Sequence, residues 1–283
     1  MMLLLALVGV AAGVLGALVG IGGGVIVVPI LSLGFGIDVR IAVATSLVSV
    51  IATSTAAGSV YVGSGLANMR LGMALEVTTT VGGITGGLVA VLVPVAVLQV
   101  AFGLMLVVTS VLMIIGRDAA KKSAPSGGAS AVGAHGYEER GALAGAYFDQ
   151  REGQPVHYRA ERLAVGGSIA LLAGAVSGML GVGGGFLKVP AMTLGMRVPI
   201  RVAAATSNFM IGVTAVTSLV VYFTRGYVHP TLAAPVALGV VAGSLAGSRL
   251  AQTVHPKALR YVLAVVLVGV ALEMLLKGAG WIR

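Results

Sequence analysis

The sequence predicts an all-α membrane protein made of two inverted repeats, each a glycine-broken hairpin segment followed by three transmembrane helices. Three observations predict it: a composition that cannot cover a water-facing surface, glycine-rich blocks repeated at one offset, and a lopsided distribution of Lys and Arg. Hydrophobic residues make up 58% of the 283 positions and charged residues 10%, with a mean hydropathy of +1.04. Soluble domains carry about 25% charged residues, so this inventory points to lipid as the solvent. At about 20 residues per pass the length allows roughly seven to nine passes plus loops.

The apolar run from Met1 lacks the basic region that opens a secretory signal, so this first segment is expected to be retained. Cysteine is absent, which excludes disulfide staples, thiolate metal sites and thiol catalysis. A net charge of +9 would suggest nucleic acid in a soluble protein. Here the 18 Lys and Arg lie mostly in loops between apolar runs, where aromatics are scarce. Membrane topology accounts for them, membrane lipid is the expected surrounding, and no nucleic-acid partner is expected.

Two stretches match at a constant offset of 161 residues. Gly13, Gly16, Gly20, Gly22, Gly23 and Gly24 precede Val28 and Pro29 in the first; Gly174, Gly181, Gly183, Gly184 and Gly185 precede Val189 and Pro190 in the second. The same offset pairs Arg40, Thr45 and Ser46 with Arg201, Thr206 and Ser207, and Gly65, Gly82 and Gly86 with Gly226, Gly243 and Gly247. Several separate blocks in one register define a repeat.

Each half begins with an interrupted apolar stretch, residues 2–35 and 163–195. Three uninterrupted spans follow it: 41–62, 71–93 and 96–115 in the first half, then 202–223, 231–251 and 258–276 in the second. The domains read as 1–116, a first membrane repeat; 117–161, a polar linker; and 162–283, a second membrane repeat. The linker, with Lys121, Lys122, Glu138, Glu139, Arg140, Asp149 and Glu152, is too polar to span a bilayer. It is expected to be solvated, with room for some helix.

If both interrupted segments are hairpins, 13 Lys and Arg fall on one side of the membrane and only Arg40, Arg225, Lys277 and Arg283 on the other, with Lys188 inside. If both cross fully, the split is 6 to 11. The positive-inside rule favours the larger asymmetry. It places the linker in the cytoplasm, both termini outside, and the halves in opposite orientation, the plan of many secondary transporters.

Irregular backbone at membrane depth is tolerated only where protein or a water-filled cavity surrounds it. Consecutive glycines break a helix, and the segment after each break restarts with unpaired N–H groups. Two such starts converging from opposite faces would make an anion site without Arg. The bland alternative is close helix packing through small residues four apart. That suffices for Gly9, Gly13, Gly16 and Gly20 and for Gly239, Gly243 and Gly247, but not for three glycines in a row. The candidate substrate-binding residues are therefore Gly22, Gly23, Gly24, Gly183, Gly184 and Gly185.

Thr45, Ser46, Thr206, Ser207 and Asn208 join them, since their side chains could complete an oxyanion's coordination or bond their own helix carbonyls. Lys188 has no counterpart in the first half, where Val27 stands. It would supply a positive charge or snorkel to the interface. Glu76 and Glu273 are proton-relay candidates but read first as interfacial, or paired with Arg70 or Lys277. Neither cluster is followed by Lys-Ser/Thr, so a nucleotide loop is not expected. No Ser/His/Asp set, carboxylate pair or metal-ligand spacing is present, so neither catalysis, a metal nor a cofactor is called for.

The Gly-x-x-x-Gly-x-x-Gly-hydrophobic-Gly-Gly-Gly…Val-Pro pattern at Gly13–Pro29 and Gly174–Pro190 resembles the TauE/SafE sulfite exporter family. So do the Ala-Thr-Ser that follows each and the run at Gly243–Ala251. The resemblance covers nearly the whole chain outside the linker, which looks longer than the family's usual connection. It implies export of sulfite or a related sulfur-containing anion, such as a small organosulfonate, without ATP hydrolysis. The expected partners are then a small anion and protons or another coupling ion, with a negative-inside potential favouring anion exit. Two rival classes are an intramembrane enzyme acting on a lipid phosphate and a membrane sensor or scaffold acting through the linker.

Overall fold

The computed structural model describes residues 2–19, 23–63, 66–122, 143–149, 154–250 and 256–281. The first half holds α1 (Met2–Val19), α2 (Gly24–Pro29), α3 (Val39–Gly63), α4 (Met69–Leu92) and α5 (Val95–Lys122). Two strands follow, β1 (Ala144–Asp149) and β2 (Gln154–Arg159). The second half holds α6 (Leu163–Leu180), α7 (Gly185–Pro190), α8 (Ile200–Thr224), α9 (Pro230–Leu250) and α10 (Pro256–Gly278). Stretches within α3, α4, α6, α8 and α9 are long and apolar enough to cross a membrane. Val77, Leu88, Val220, Phe223 and Leu238 point outward from these helices, as lipid-facing side chains do. The chain is an all-α membrane protein.

The offset of 161 extends to the local conformation. α2 and α7 each end on a proline and widen at once into a π-helical turn, Ile30–Gly34 and Ala191–Gly195. Pro29 and Pro190 remove a ladder donor, and the wider turn is how the helix continues past the loss. Both turns close with the same bond, Ile37 N–H to Leu31 O at 3.1 Å and Val198 N–H to Met192 O at 2.9 Å.

Packing follows the same exchange. α1 lies along α9 as α6 lies along α4, and α3 meets α8 at the centre. Glycines set the close approach. A Cβ on Gly82 or Gly86 would stand 2.1 or 2.0 Å from a carbonyl oxygen of α6, and one on Gly239 or Gly243 would stand 2.1 or 2.2 Å from a carbonyl oxygen of α1. Gly9, Gly13, Gly239 and Gly243 thus serve helix packing, as expected, while Gly20 lies outside the described residues.

The second glycine-broken segment is a hairpin. Gly195 comes back beside Val165 and Ile169 at the start of α6. The Glu161 N–H donates to Met196 O at 3.1 Å, and Arg197 pairs with Glu161 at 3.3 Å. Both ends of the segment therefore lie together.

The linker differs from its expectation. Its start, as far as Lys122, continues α5 as helix, but the later described part is a β-hairpin, with Tyr147 opposite Val156 and Phe148 opposite Pro155. Alternating aromatic and β-branched residues, Tyr147, Val156 and Tyr158, suit strand rather than helix. A lone two-stranded hairpin is marginal in water. This one docks on the bundle: Leu143 and Tyr158 pack against a cluster that includes Leu71, Leu75, Met192, Met196 and Val202. Tyr158 OH also accepts from Asn68 Nδ2 at 3.0 Å. Asn68 is the N-cap of α4, its side chain accepting from Leu71 N–H at 3.0 Å.

Candidate functional site

The two glycine breaks meet. Gly24 packs against Gly181 so closely that a Cβ there would stand 2.7 Å from Gly181 O and 2.8 Å from Ser46 Oγ. The Ser46 hydroxyl lies between the halves, 2.7 Å from Gly181 O and 3.3 Å from Gly24 O. The second break is left-handed at Gly181, Gly183 and Gly184, with φ of 71°, 79° and 69°. Only glycine holds such a run without strain. In the first break Gly23 is right-handed, and Gly20 and Gly22 lie outside the described residues.

One face of α8 lines the second hairpin. Ser207, Ile211 and Thr214 stand at spacings of four and three, which stacks them along one side of a helix. A Cβ on Gly185 would lie 2.5 Å from Ile211 Cδ1 and 3.5 Å from Ser207 Oγ. Behind the loop Ser177 of α6 abuts Gly184. Thr45 Oγ1, Ser177 Oγ and Ser207 Oγ are buried and lack a hydrogen-bond partner among the described residues. Buried polar atoms are nearly always paired, so two orphaned hydroxyls, Ser177 and Ser207, beside one break in the chain are unusual.

The other candidate side chains are already engaged. Thr206 Oγ1 accepts from Asn68 N–H at 3.0 Å, facing α4 rather than the breaks. Asn208 Nδ2 donates to Ala204 O in its own helix at 3.1 Å, and Asn208 O accepts from Ser54. The geometry thus brings Gly24, Ser46, Gly183, Gly184, Gly185 and Ser207 together and turns Thr206 and Asn208 to structural bonds.

Lys188 does not snorkel. It is 1% exposed, and its ammonium donates to Thr214 Oγ1 at 2.7 Å. Thr214 Oγ1 lies 2.7 Å from Glu76 Oε1, to which its hydroxyl donates, and 2.9 Å from Met210 O. Glu76 Oε2 stands 3.9 Å from Lys188 Nζ. Glu76 is therefore neither interfacial nor paired with Arg70. It is buried and answers the charge of Lys188 across Thr214. Glu273, by contrast, is exposed on α10.

Sequence reasoning missed Thr214 and Ser177 as neighbours of the site and underrated Glu76. The offset held one signal: Glu76, Thr214 and Lys188 pair with Ala237, Thr53 and Val27. Each half carries one charge that its counterpart in the other half lacks, which is what a mutual pair would look like.

A family model described as sulfite exporter TauE/SafE matches residues 5–274. The chain belongs to the TauE/SafE family. It is 26% identical to "Probable membrane transporter protein YunE" of Bacillus subtilis over 282 residues, covering 97% of each chain. A "Probable membrane transporter protein" of Methanocaldococcus jannaschii is 28% identical over 294 residues, covering 96% of this chain and 95% of its own. One of the same description from Xylella fastidiosa is 27% identical over 247 residues, covering 87% and 81%. No solved structure gives a significant match. Family and relatives agree on a membrane transporter rather than an enzyme. In this TauE/SafE protein the doubled glycine motif coincides with the two breaks that meet at Ser46.

Proposed function

We propose that this protein exports a small sulfur-containing anion, sulfite or an organosulfonate, across a bacterial-type inner membrane by alternating access. One observation carries the reading: two glycine breaks converge inside an apolar bundle, beside buried hydroxyls that have no partner among the described residues. An oxyanion needs several N–H and O–H donors in place of water. Ser207 and Ser177 beside the second break, Thr45 in the next span of the first half, and the first N–H groups after Gly23 and Gly184 are of that kind. The family description supports the choice of sulfite and of export.

The closed second hairpin supports inverted repeats. A segment that returns to its own side leaves three crossings, α8 to α10, in that half, and an odd number reverses the orientation of a repeat. Together with the Lys and Arg asymmetry it supports a cytoplasmic linker and outward termini. Two halves of opposite orientation, α1 on α9 and α6 on α4, could rock about the central α3–α8 contact.

Labelled sulfite flux into liposomes, with sulfate and taurine as competitors and protein-free vesicles as the baseline, tests the proposal. Saturable flux blocked by unlabelled sulfite is expected. Thr45→Val and Ser207→Ala should each raise the half-saturating concentration about tenfold, the loss of one donor at about 1.4 kcal/mol. Unchanged affinity in both variants would discard this ligand shell.

A further inference from the structure

We infer that Lys188, Thr214 and Glu76 form a proton-gated anion seat, so that each monovalent anion crosses with one proton. The inference rests on the anion-transport reading above and deepens it. An ammonium has three donors. Among the described residues Lys188 uses one, on Thr214 Oγ1 at 2.7 Å. Glu76 Oε2 is buried, has no hydrogen-bond partner among the described residues, and lies 3.9 Å from Lys188 Nζ, an ion pair without direct contact. Two spare donors and one spare acceptor face each other across Thr214, an arrangement looser than a structural pair needs. The seat adjoins the second glycine break, because the Lys188 N–H bonds Gly184 O at 3.1 Å.

Charge balance supplies the coupling. A net charge buried at membrane depth is costly, and the empty seat is neutral, ammonium against carboxylate. An anion that joins Lys188 makes the seat negative unless Glu76 takes a proton. The loaded seat then holds ammonium, anion and carboxylic acid, neutral again. On the far side anion and proton leave together and the Lys188–Glu76 pair reforms.

Among the described residues no other carboxylate, histidine or basic group lies beside the pair. α6 carries no charged residue, Arg70 and Arg201 sit in the first turns of α4 and α8, and Arg225 follows α8. The Tyr222 hydroxyl on α8 is taken up by Gly178 O and Met179 O at 3.1 and 3.2 Å. Such a carrier is electroneutral for a monovalent anion. Flux then follows the combined anion and proton gradients, outward when the anion is made in excess inside, and the potential-driven exit expected from sequence is replaced.

The test uses the full chain in detergent with sulfite and methanesulfonate, the second chosen because its charge does not change across the acidic-to-neutral range. Calorimetric binding of methanesulfonate should tighten about tenfold for each unit of falling pH, the slope for one linked proton. Glu76→Gln, which imitates the protonated acid, should bind with that slope abolished. The double variant Lys188→Met with Glu76→Gln leaves no unpaired buried charge, so it should fold and lose binding. In vesicles, methanesulfonate flux should carry protons one for one and ignore an imposed voltage. Binding without a pH slope in the wild-type protein, or a slope that survives in Glu76→Gln, would overturn the inference and leave anion transport standing. Absence of binding and flux for both anions would overturn the transport reading and the seat with it.

Discussion

The hydroxyl of Ser46 lies between two carbonyls, Gly181 O at 2.7 Å and Gly24 O at 3.3 Å, and donates to one at a time. Its repeat counterpart, Ser207, has no partner among the described residues. The same residue type at equivalent positions therefore does different work. Ser46→Ala strips a buried carbonyl of its donor, and thermal unfolding in detergent should show a loss of about 1–3 kcal/mol. Ser207→Ala removes a hydroxyl that bonds nothing, so stability should change by less than about 0.5 kcal/mol. A clear drop in unfolding temperature for Ser207→Ala would mean its hydroxyl holds the fold after all. Thr214 illustrates the same scale: a threonine that would elsewhere satisfy its own helix is placed by Lys188 and Glu76 between two charges.

At the level of elements, the decisive contacts are backbone against backbone. The Gly82 Cα faces Leu171 O so closely that a methyl group there would stand 2.1 Å from the oxygen. Gly82→Ala must push α4 from α6, which should cost about 1–3 kcal/mol. Gly269 of α10 has nothing within 4 Å of a built Cβ. Gly269→Ala should be neutral or stabilising by up to about 1 kcal/mol. Equal effects of the two alanines on the detergent melting temperature would show that close approach is not what holds this helix pair. Arg40 acts on a helix end instead, its guanidinium donating to Val93 O at 2.6 Å and Ala90 O at 3.3 Å where α4 stops. That use of a cation at a helix C-terminus satisfies carbonyls that have no intrahelical partner.

Across the whole molecule, the proposed inverted arrangement has a direct consequence for labelling. The chain has no cysteine, so a single introduced thiol reports its own side. His157 is exposed on the linker hairpin and Trp281 is 82% exposed beyond α10. In right-side-out membrane vesicles, Trp281→Cys should react with an impermeant maleimide and His157→Cys should react only after lysis. Labelling of both from the same face would sink the three-crossing second half. The docked linker also belongs to this scale, since Tyr158 reaches the cap of α4 and links the polar segment to the bundle.

Composition and the offset of 161 residues by themselves determined the membrane class, the repeat and the helix positions. Each rests on patterns a chain displays locally: continuous apolar runs, glycines that stop helices, prolines that reset them. The second hairpin was open between two charge distributions until Glu161 and Met196 were seen to meet. The linker strands were missed because their stability comes from docking on Leu71 and Met196 rather than from their own residues. Within the site, glycine breaks were legible because consecutive glycines do not hold a helix, and Lys188 because a charge in an apolar run is conspicuous. Which hydroxyls are spent on carbonyls and which are spare was decided only by tertiary structure. So was the partner of Lys188: Glu76 lies 112 positions earlier in the chain, and only helix packing brings the two charges together, where low dielectric makes each depend on the other.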